Sequence, residues 1–190
     1  RPQAGRQRQF HQIGVEAIGS ANPYVDAEVI SLATVFLKNA GVKDFKVKIN
    51  SLGCSLDKDK FSSVLKKELK SNLGSLCEDC QSRFEKNVFR VLDCKNPDCK
   101  KIVGAIHELP LLCMDCNAHF QKVKEYLDIL GVKYEIDNHL VRGLDYYTKT
   151  AFEITSSALG SQDAISAGGR YDNLIKDLGG TSVPAIGFAI

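Results

Sequence analysis

Two short stretches combine the residue types that hold and polarise an anionic, hydrogen-bonding ligand: Leu140-Val141-Arg142-Gly143-Leu144-Asp145-Tyr146-Tyr147 and Gly168-Gly169-Arg170-Tyr171-Asp172. Glycine lets the backbone come close to a ligand, while guanidinium and phenol groups supply directed donors. A third candidate surface lies near the start of the chain. Phe10 to Ala17 reads as a strand in which Phe10, Gln12, Gly14 and Glu16 share one face and His11, Ile13, Val15 and Ala17 the other. The first face has acceptors, an aromatic ring and little apolar filling, as a surface turned to a ligand would. Arg6 and Arg8 stand in the glycine-containing loop that leads into it, where they could fold over phosphates.

Six of the seven cysteines form three chelating pairs, Cys77-x2-Cys80, Cys94-x4-Cys99 and Cys113-x2-Cys116. Tetrahedral zinc takes two such pairs. Cys94, Cys99, Cys113 and Cys116 bracket a thirteen-residue gap, a zinc-ribbon spacing, and are the expected ligands. Cys77 and Cys80 fall in Leu76 to Phe84, which reads as a helix and suits a buried supporting role; the plain alternative is six reduced, partly buried thiols. His107 and His119 are spare ligand candidates, though each reads better as a lone surface histidine. Seven cysteines, an odd number with six of them in close pairs, fit a reducing compartment better than a secreted disulfide framework.

These residues need a scaffold. Asn22-Pro23 supplies an N-cap and a proline at the first helical position, for a helix that runs to about Ala40 and stops at Gly41. Val25, Val29, Leu32, Ala33, Phe36 and Leu37 form its expected core stripe. Phe45 to Asn50 alternates strictly, so it is expected as a half-buried strand beside the first, its lysines solvated. A lysine-rich amphipathic helix follows from Asp57 to Ser71, and the composition changes with it. From there to about Leu130 come short helices, the cysteines and mixed charges, read as an inserted subdomain over 57–130. Strand patterns return at Val132–Ile136, Thr150–Thr155, Ala164–Ala167 and Ile186–Ile190, with one helix, Asp172 to Leu178, closed by Gly179-Gly180. Strands at both ends with helices grouped between them predict an α+β fold: a mainly antiparallel sheet with its helices on one side.

With 190 residues, of which 44% are apolar and 25% charged, the chain can bury an ordinary core. Its 25 Lys and Arg are nearly balanced by 23 Asp and Glu, which excludes a broadly basic nucleic-acid binder and leaves only local basic surfaces. No apolar run approaches the roughly 18 to 20 residues of a membrane span, and the start carries no signal-peptide pattern, so a cytoplasmic location without membrane partners is expected. Both ends look cut: Arg1 lies inside a motif, and Val183 to Ile190 stops on an apolar run.

Three stretches together, Arg-Pro-Gln-Ala-Gly-Arg-x-Arg-x-Phe-His-Gln at the start, the octet around Arg142 and Ala-Gly-Gly-Arg-Tyr-Asp at 167–172, resemble the class II aminoacyl-tRNA synthetases, specifically the bacterial histidyl-tRNA synthetases. The likeness covers nearly the whole chain. It implies a class II catalytic core, incomplete at both ends, at 1–56 and 131–190, with the 57–130 insertion near the tRNA acceptor stem. The implied activity joins L-histidine to ATP, taken with Mg2+, as histidyl-adenylate, then transfers the histidyl group to tRNA(His); the implied assembly is a homodimer. By the same resemblance Arg6 would contact ATP phosphates and Phe10 would stack on adenine. Gln12 and Glu16 would meet the amino acid, Tyr146, Tyr147 and Tyr171 would close the imidazole pocket, and Gly168 and Gly169 would let backbone approach it. Arg142 would be the catalytic group, taking over at the α-phosphate the electrostatic work that other class II enzymes leave to a metal ion. Asp145 is read as a structural hydrogen-bond partner. The family's first and third motifs and half of its second have no counterpart here, so the 190-residue chain alone is expected to be inactive. Two other readings remain: a catalytically silent paralogue, such as the histidine-sensing regulatory subunit of ATP phosphoribosyltransferase, and a synthetase-like domain that binds uncharged tRNA.

Overall fold

The computed structural model describes residues 8–106, 111–156 and 163–190. The chain runs β1 (Gly14–Ile18), α1 (Pro23–Asn39), β2 (Phe45–Ser51), α2 (Ser55–Lys70), a 3-10 turn at Leu73–Ser75, α3 (Glu78–Lys86), α4 (Phe89–Leu92), α5 (Pro97–Gly104), α6 (Met114–Ile129), β3 (Glu135–Ile136), β4 (Thr148–Ser156), β5 (Ala164–Arg170), α7 (Leu174–Asp177) and β6 (Ala185–Ala189). The strands form one sheet in the order β1-β6-β5-β4-β2-β3, antiparallel throughout except for the short β2–β3 pair. The α+β class expected from the sequence is the class observed.

One expected neighbour is corrected. β2 does not lie beside β1, because β6, β5 and β4 stand between them. The partner of β1 is β6, in a register that sets Val15 opposite Phe188 and Ala17 opposite Ile186, so both strands bury the same face. β1 also starts later than the alternation suggests, at Gly14, although Ile13 exchanges both backbone bonds with Ile190 at 3.2 and 2.8 Å. The expected strand Val132–Ile136 shrinks to two residues. The Gly131 and Val132 N–H groups close α6 instead, bonding to Asp128 and Leu127 carbonyls.

In α1 the Asn22 side chain accepts from the Tyr24 N–H at 2.9 Å with Pro23 at the first position, and Gly41 leaves the helix at φ 81°. Its buried stripe is turned from the expected one: Leu32 and Phe36 are exposed, whereas Asp26 and Thr34 are buried. The helix packs against both the sheet and α6, so the positions facing either are covered, and Asp26 is one of them. Ile30 and Leu37 of α1, Val123 and Leu127 of α6, and Phe152 and Ile186 of the sheet are fully buried in this core. Truncating one of these to Ala costs about 2–5 kcal/mol.

A second core is built by Leu65, Leu69, Phe84, Val88, Val91 and Val103, all within α2 to α5. α6 is not part of it; Phe120, Val123 and Leu127, at helical spacing, turn to the sheet. The buried residues of this second core run from Leu65 to Ile106. No helix among the described residues is long and apolar enough to cross a membrane.

Candidate active site

The register carries one row of residues across four strands. Glu16 lies opposite Gly187, Gly187 opposite Gly169, and Gly169 opposite Ala151. Alternation puts these on the face away from α1 and α6, since Val15, Ile186 and Phe152 point into the core. Gly187, Gly169 and Ala151 make a floor of very small residues, and larger groups, Glu16 among them, lie over it. A Cβ at 187 would collide with the Glu16 carboxylate, and one at 169 would stand 2.9 Å from Tyr147 Cδ1 and 2.6 Å from the Thr150 carbonyl oxygen. Glycine is required here so that side chains from β1 and the Arg142 loop can lie flat on the sheet.

Three tyrosines gather on this floor. Ring centroids are 4.7 Å apart for Tyr146 and Tyr147, 5.9 Å for Tyr146 and Tyr171, and 6.5 Å for Tyr147 and Tyr171. The Tyr171 hydroxyl donates to the Glu16 carboxylate. Burial, then this bond and the negative charge behind it, raise the Tyr171 phenol well above its ordinary range. Burial and the neighbouring Tyr147 push Tyr146 up to about 12. Both phenols are thus neutral donors around a carboxylate, an arrangement that accepts an N–H and presents an O–H to a polar ring.

Arg142 stands beside the cluster. Its Nη1 donates to Glu153 Oε2 at 2.9 Å, and its guanidinium lies 5.8 Å from the Tyr147 ring centroid. Burial raises the Glu153 carboxyl, with Arg142 working against that shift. Arg142 Nε is buried and has no partner among the described residues. The loop bearing Arg142 is pinned from several sides. Asn50 donates to the Leu140 carbonyl at 2.9 Å, Lys58 to the Asp145 carbonyl at 2.8 Å, and Asn87 to the Asp145 carboxylate. Asp145 is thus the structural partner it was expected to be. On the other side of Arg142 opens a cleft of about 530 Å3 between the sheet and α2, reached by Lys58, Asn87, Phe89 and Phe120.

Beneath the floor lies a group that sequence reasoning missed. Arg170 and Asp26 are both fully buried. Arg170 Nε sits 3.1 Å from Asp26 Oδ1, its Nη2 pairs with the same oxygen, and its Nη1 reaches Asp172 at 2.9 Å and the Ser20 carbonyl at 3.0 Å. Thr150 donates to Asp26 Oδ2 at 2.6 Å, and His119 Nε2 lies 2.8 Å from it. Burial alone would raise the Asp26 carboxyl, but bonds from His119 and Arg170 hold it below the ordinary value. His119, expected as a surface histidine, is therefore a partner in this network. A signal for Arg170 was present: Arg170 and Tyr171 are consecutive in extended chain, so they point to opposite faces and cannot both enter the site.

The structure brings together Glu16, Arg142, Tyr146, Tyr147, Tyr171 and Gly169. Gly168 faces the core instead, where a Cβ would meet Phe188 Cβ at 2.8 Å and Phe152 Cε1 at 2.9 Å. Gln12 and Phe10 are exposed ahead of β1, Phe10 to 70%. Arg6 and His107 lie outside the described residues.

The expected metal quartet is corrected. Cys94 and Cys99 do not meet Cys113 and Cys116. α3 packs on α4 and α5, so Cys94 and Cys99 face Cys77 and Cys80, and all four sulfurs lie within 4.8 Å of one another. Cys77 Sγ and Cys94 Sγ are 3.8 Å apart, and the backbone N–H groups of Cys77 and Asn96 point at the Cys99 and Cys94 sulfurs at 3.3 and 3.4 Å. Cys113 and Cys116 stand instead with Cys54 and Asp57.

The histidyl-tRNA synthetase family matches residues 1–190. Curated relatives include the histidine–tRNA ligases of Halothermothrix orenii, 53% identical over 100% of this chain and 46% of the relative, and of Moorella thermoacetica, 52% identical over 100% and 45%. The chain thus spans about half the length of the curated relatives it matches. Among solved structures, an apo histidyl-tRNA synthetase from S. aureus superimposes with a TM-score of 0.73 at 38% identity, covering 96% of this chain and 45% of that one. A Bacillus halodurans protein described as an ATP phosphoribosyltransferase regulatory subunit/histidyl-tRNA synthetase follows at 0.63 and 25%, covering 94% and 50%.

Proposed function

Because this chain belongs to the histidyl-tRNA synthetase family, we propose that the whole protein activates L-histidine with ATP and Mg2+ and passes the histidyl group to tRNA(His), as a homodimer in the cytoplasm. The observation that carries this reading is the Glu16–Tyr171 pair held over Gly187 and flanked by Tyr146 and Tyr147. A neutral imidazole offers one N–H and one bare ring nitrogen. Glu16 can accept that N–H, and a neutral phenol, that of Tyr146 or that of Tyr171 once it turns from Glu16, can donate to the bare nitrogen, whereas a ring lacking either group would leave a site polar atom unpaired.

Arg142 supports the chemical step. Its Nη1 is held by Glu153, and its buried Nε has no protein partner among the described residues. A donor in that condition is stabilised by an incoming anion, here the substrate carboxylate or the α-phosphate, and it counts most as charge builds in the transition state. Gln12 would extend the amino-acid contacts from the approach to β1; Phe10 and Arg6 would serve adenine and the phosphates.

The segment with its own core, α2 to about residue 112, would be the subdomain turned to the tRNA acceptor stem. It would hold one structural zinc ion at Cys77, Cys80, Cys94 and Cys99. A tetrahedron of Zn–S bonds of about 2.3 Å has edges of about 3.8 Å, which is the Cys77–Cys94 spacing.

The test is ATP–pyrophosphate exchange by the full-length protein with each of several amino acids. Exchange driven by histidine alone supports the reading. Histidine binding with no exchange would replace it with the silent regulatory paralogue, and exchange driven equally by other amino acids would refute the assignment of Glu16 and Tyr171.

A further inference from the structure

The chain has seven cysteines, all of them free, and the four-cysteine cluster accounts for four. The other three, Cys54, Cys113 and Cys116, are gathered with Asp57, and the four ligand atoms lie within 4.8 Å of one another. We propose that Cys54, Asp57, Cys113 and Cys116 form a second metal site, for a divalent ion of the zinc class, that clasps together the entry and the exit of the inserted segment.

The arrangement is one of two matching halves. Cys54 caps α2 and Asp57 stands in its first turn; Cys113 caps α6 and Cys116 stands in its first turn. Each half is a chelating pair with x2 spacing at the start of a helix. The Cys116 N–H lies 3.5 Å from Cys113 Sγ, and the N–H groups of Cys54 and Cys113 reach the two Asp57 oxygens at 3.3 and 2.9 Å. Backbone donors turned toward the ligand atoms of both halves spread the negative charge that three thiolates and a carboxylate would otherwise concentrate.

Asp57 points most directly to a cation ligand. Its side chain is fully buried, yet no Lys, Arg or His pairs with it among the described residues; its neighbours are backbone N–H groups and thiols. Asp26, the other fully buried carboxylate among the described residues, has Arg170 against it. Backbone N–H and thiol donors hold the Asp57 carboxylate charged, and a divalent ion that displaced the thiol protons would supply the counter-charge that no side chain among the described residues gives it. Three soft sulfurs select zinc over magnesium or calcium, and the carboxylate completes a tetrahedral set.

The position gives the ion a purpose. Cys54 and Asp57 lie at the entry of the segment that carries the second core, and Cys113 and Cys116 at its exit. Lys58, next to Asp57, donates to the Asp145 carbonyl, and Gly53, next to Cys54, accepts from the Lys149 N–H at 2.8 Å. A bound ion would therefore stiffen the joint between the insertion and the loop that holds Arg142.

The experiment is zinc analysis of the full-length protein, purified under reducing conditions and reconstituted with Zn2+, comparing wild type with Cys113→Ser/Cys116→Ser, with Asp57→Asn and with Cys94→Ser/Cys99→Ser. The expected content is about two equivalents for wild type, falling to about one in the first and third variants. Cobalt substitution checks this in folded wild-type protein, since the thiolate charge-transfer intensity should correspond to seven sulfurs and drop to four in Cys113→Ser/Cys116→Ser. One equivalent that survives Cys113→Ser/Cys116→Ser and disappears with Cys94→Ser/Cys99→Ser overturns the second site and leaves the first standing. One equivalent with the opposite behaviour supports the clasp and overturns the first site, and a metal-free wild type overturns both. Asp57→Asn that retains full zinc affinity removes Asp57 from the ligand set and overturns the proposal as stated.

Discussion

Asp26→Asn should be among the most destabilising single changes available in the sheet core. The substitution keeps the shape of the side chain and removes its charge. Asp26 and Arg170 are both fully buried, and the carboxylate takes donors from Arg170 Nε and Nη2 and Thr150 Oγ1, with His119 Nε2 at 2.8 Å. An amide turns one acceptor into a donor, so at least one of these groups then faces another donor. Arg170 keeps Asp172 as a counter-ion at 2.9 Å, which bounds the damage. Breaking one partner of a buried pair costs about 3–5 kcal/mol, and the surviving Asp172 contact places the expected loss at about 3 kcal/mol. Urea denaturation of the full-length protein, followed by a probe in the sheet domain, reads it as a fall in the midpoint. Arg170→Met in the Asp26→Asn background should restore part of the loss, because the stranded guanidinium goes with it. A loss under about 1 kcal/mol, or a double variant as unstable as the sum of the two singles, would refute the view that this pair is a coupled buried unit.

Arg142→Ala should lower histidine-dependent pyrophosphate exchange by roughly 10²–10³-fold with a modest change in KM for histidine, because the lost interaction is strongest in the transition state; a near-normal kcat would remove Arg142 from the mechanism. Glu16→Gln should act in the opposite sense, raising KM for histidine. Charge-assisted contacts are worth about 1.5–3 kcal/mol, and since Glu16 is exposed in this chain the effect should sit near the lower end, roughly tenfold; an unchanged KM contradicts the pocket assignment. Stability should also carry an acid-side signature of Asp26. Its folded pKa lies below the ordinary 3.8, so its contribution is complete above that value and drains away as pH falls through the folded value. Asp26→Asn should flatten the decline in urea midpoint below about pH 4, and an identical acid slope in both proteins would count against it.

Much of the site was legible because strand periodicity is local. Gly14 and Glu16 could be assigned to the face opposite Val15 and Ala17 from alternation alone, and that is how β1 lies. The same rule, applied one step further, separates Arg170 from Tyr171 and would have sent the arginine into the core. What period two cannot contain is which strand neighbours which. Phe45 to Asn50 has the same pattern whether it pairs with β1 or with β4, and the choice rests on contacts more than a hundred residues away in sequence. The cysteines failed for a related reason. Spacing says which two residues chelate as a pair, but which pairs share an ion depends on which helices pack, and α3 meets α4 and α5 while the start of α6 meets the start of α2.

The odd seventh cysteine was the overlooked clue. Treated as a remainder, Cys54 suggested nothing; set beside Asp57 three residues on, it repeats the spacing of Cys113 and Cys116 with one sulfur exchanged for a carboxylate. The exchange has a structural cause. Asp57 is also the acceptor that ties the Cys54 N–H and the Cys113 N–H, the capping positions of α2 and α6, through its two oxygens. A cysteine there could bind an ion but could not bridge two helix starts. One carboxylate can do both, and Asp57 stands at the joint where the segment with its own core leaves and rejoins the sheet, close in sequence to contacts that hold β4 and the Arg142 loop. The elements that position Arg142 and those that anchor this segment are therefore one piece of structure, so a change at Asp57 should reach the Arg142 loop through Lys58 and Asp145, and β4 through Gly53 and Lys149.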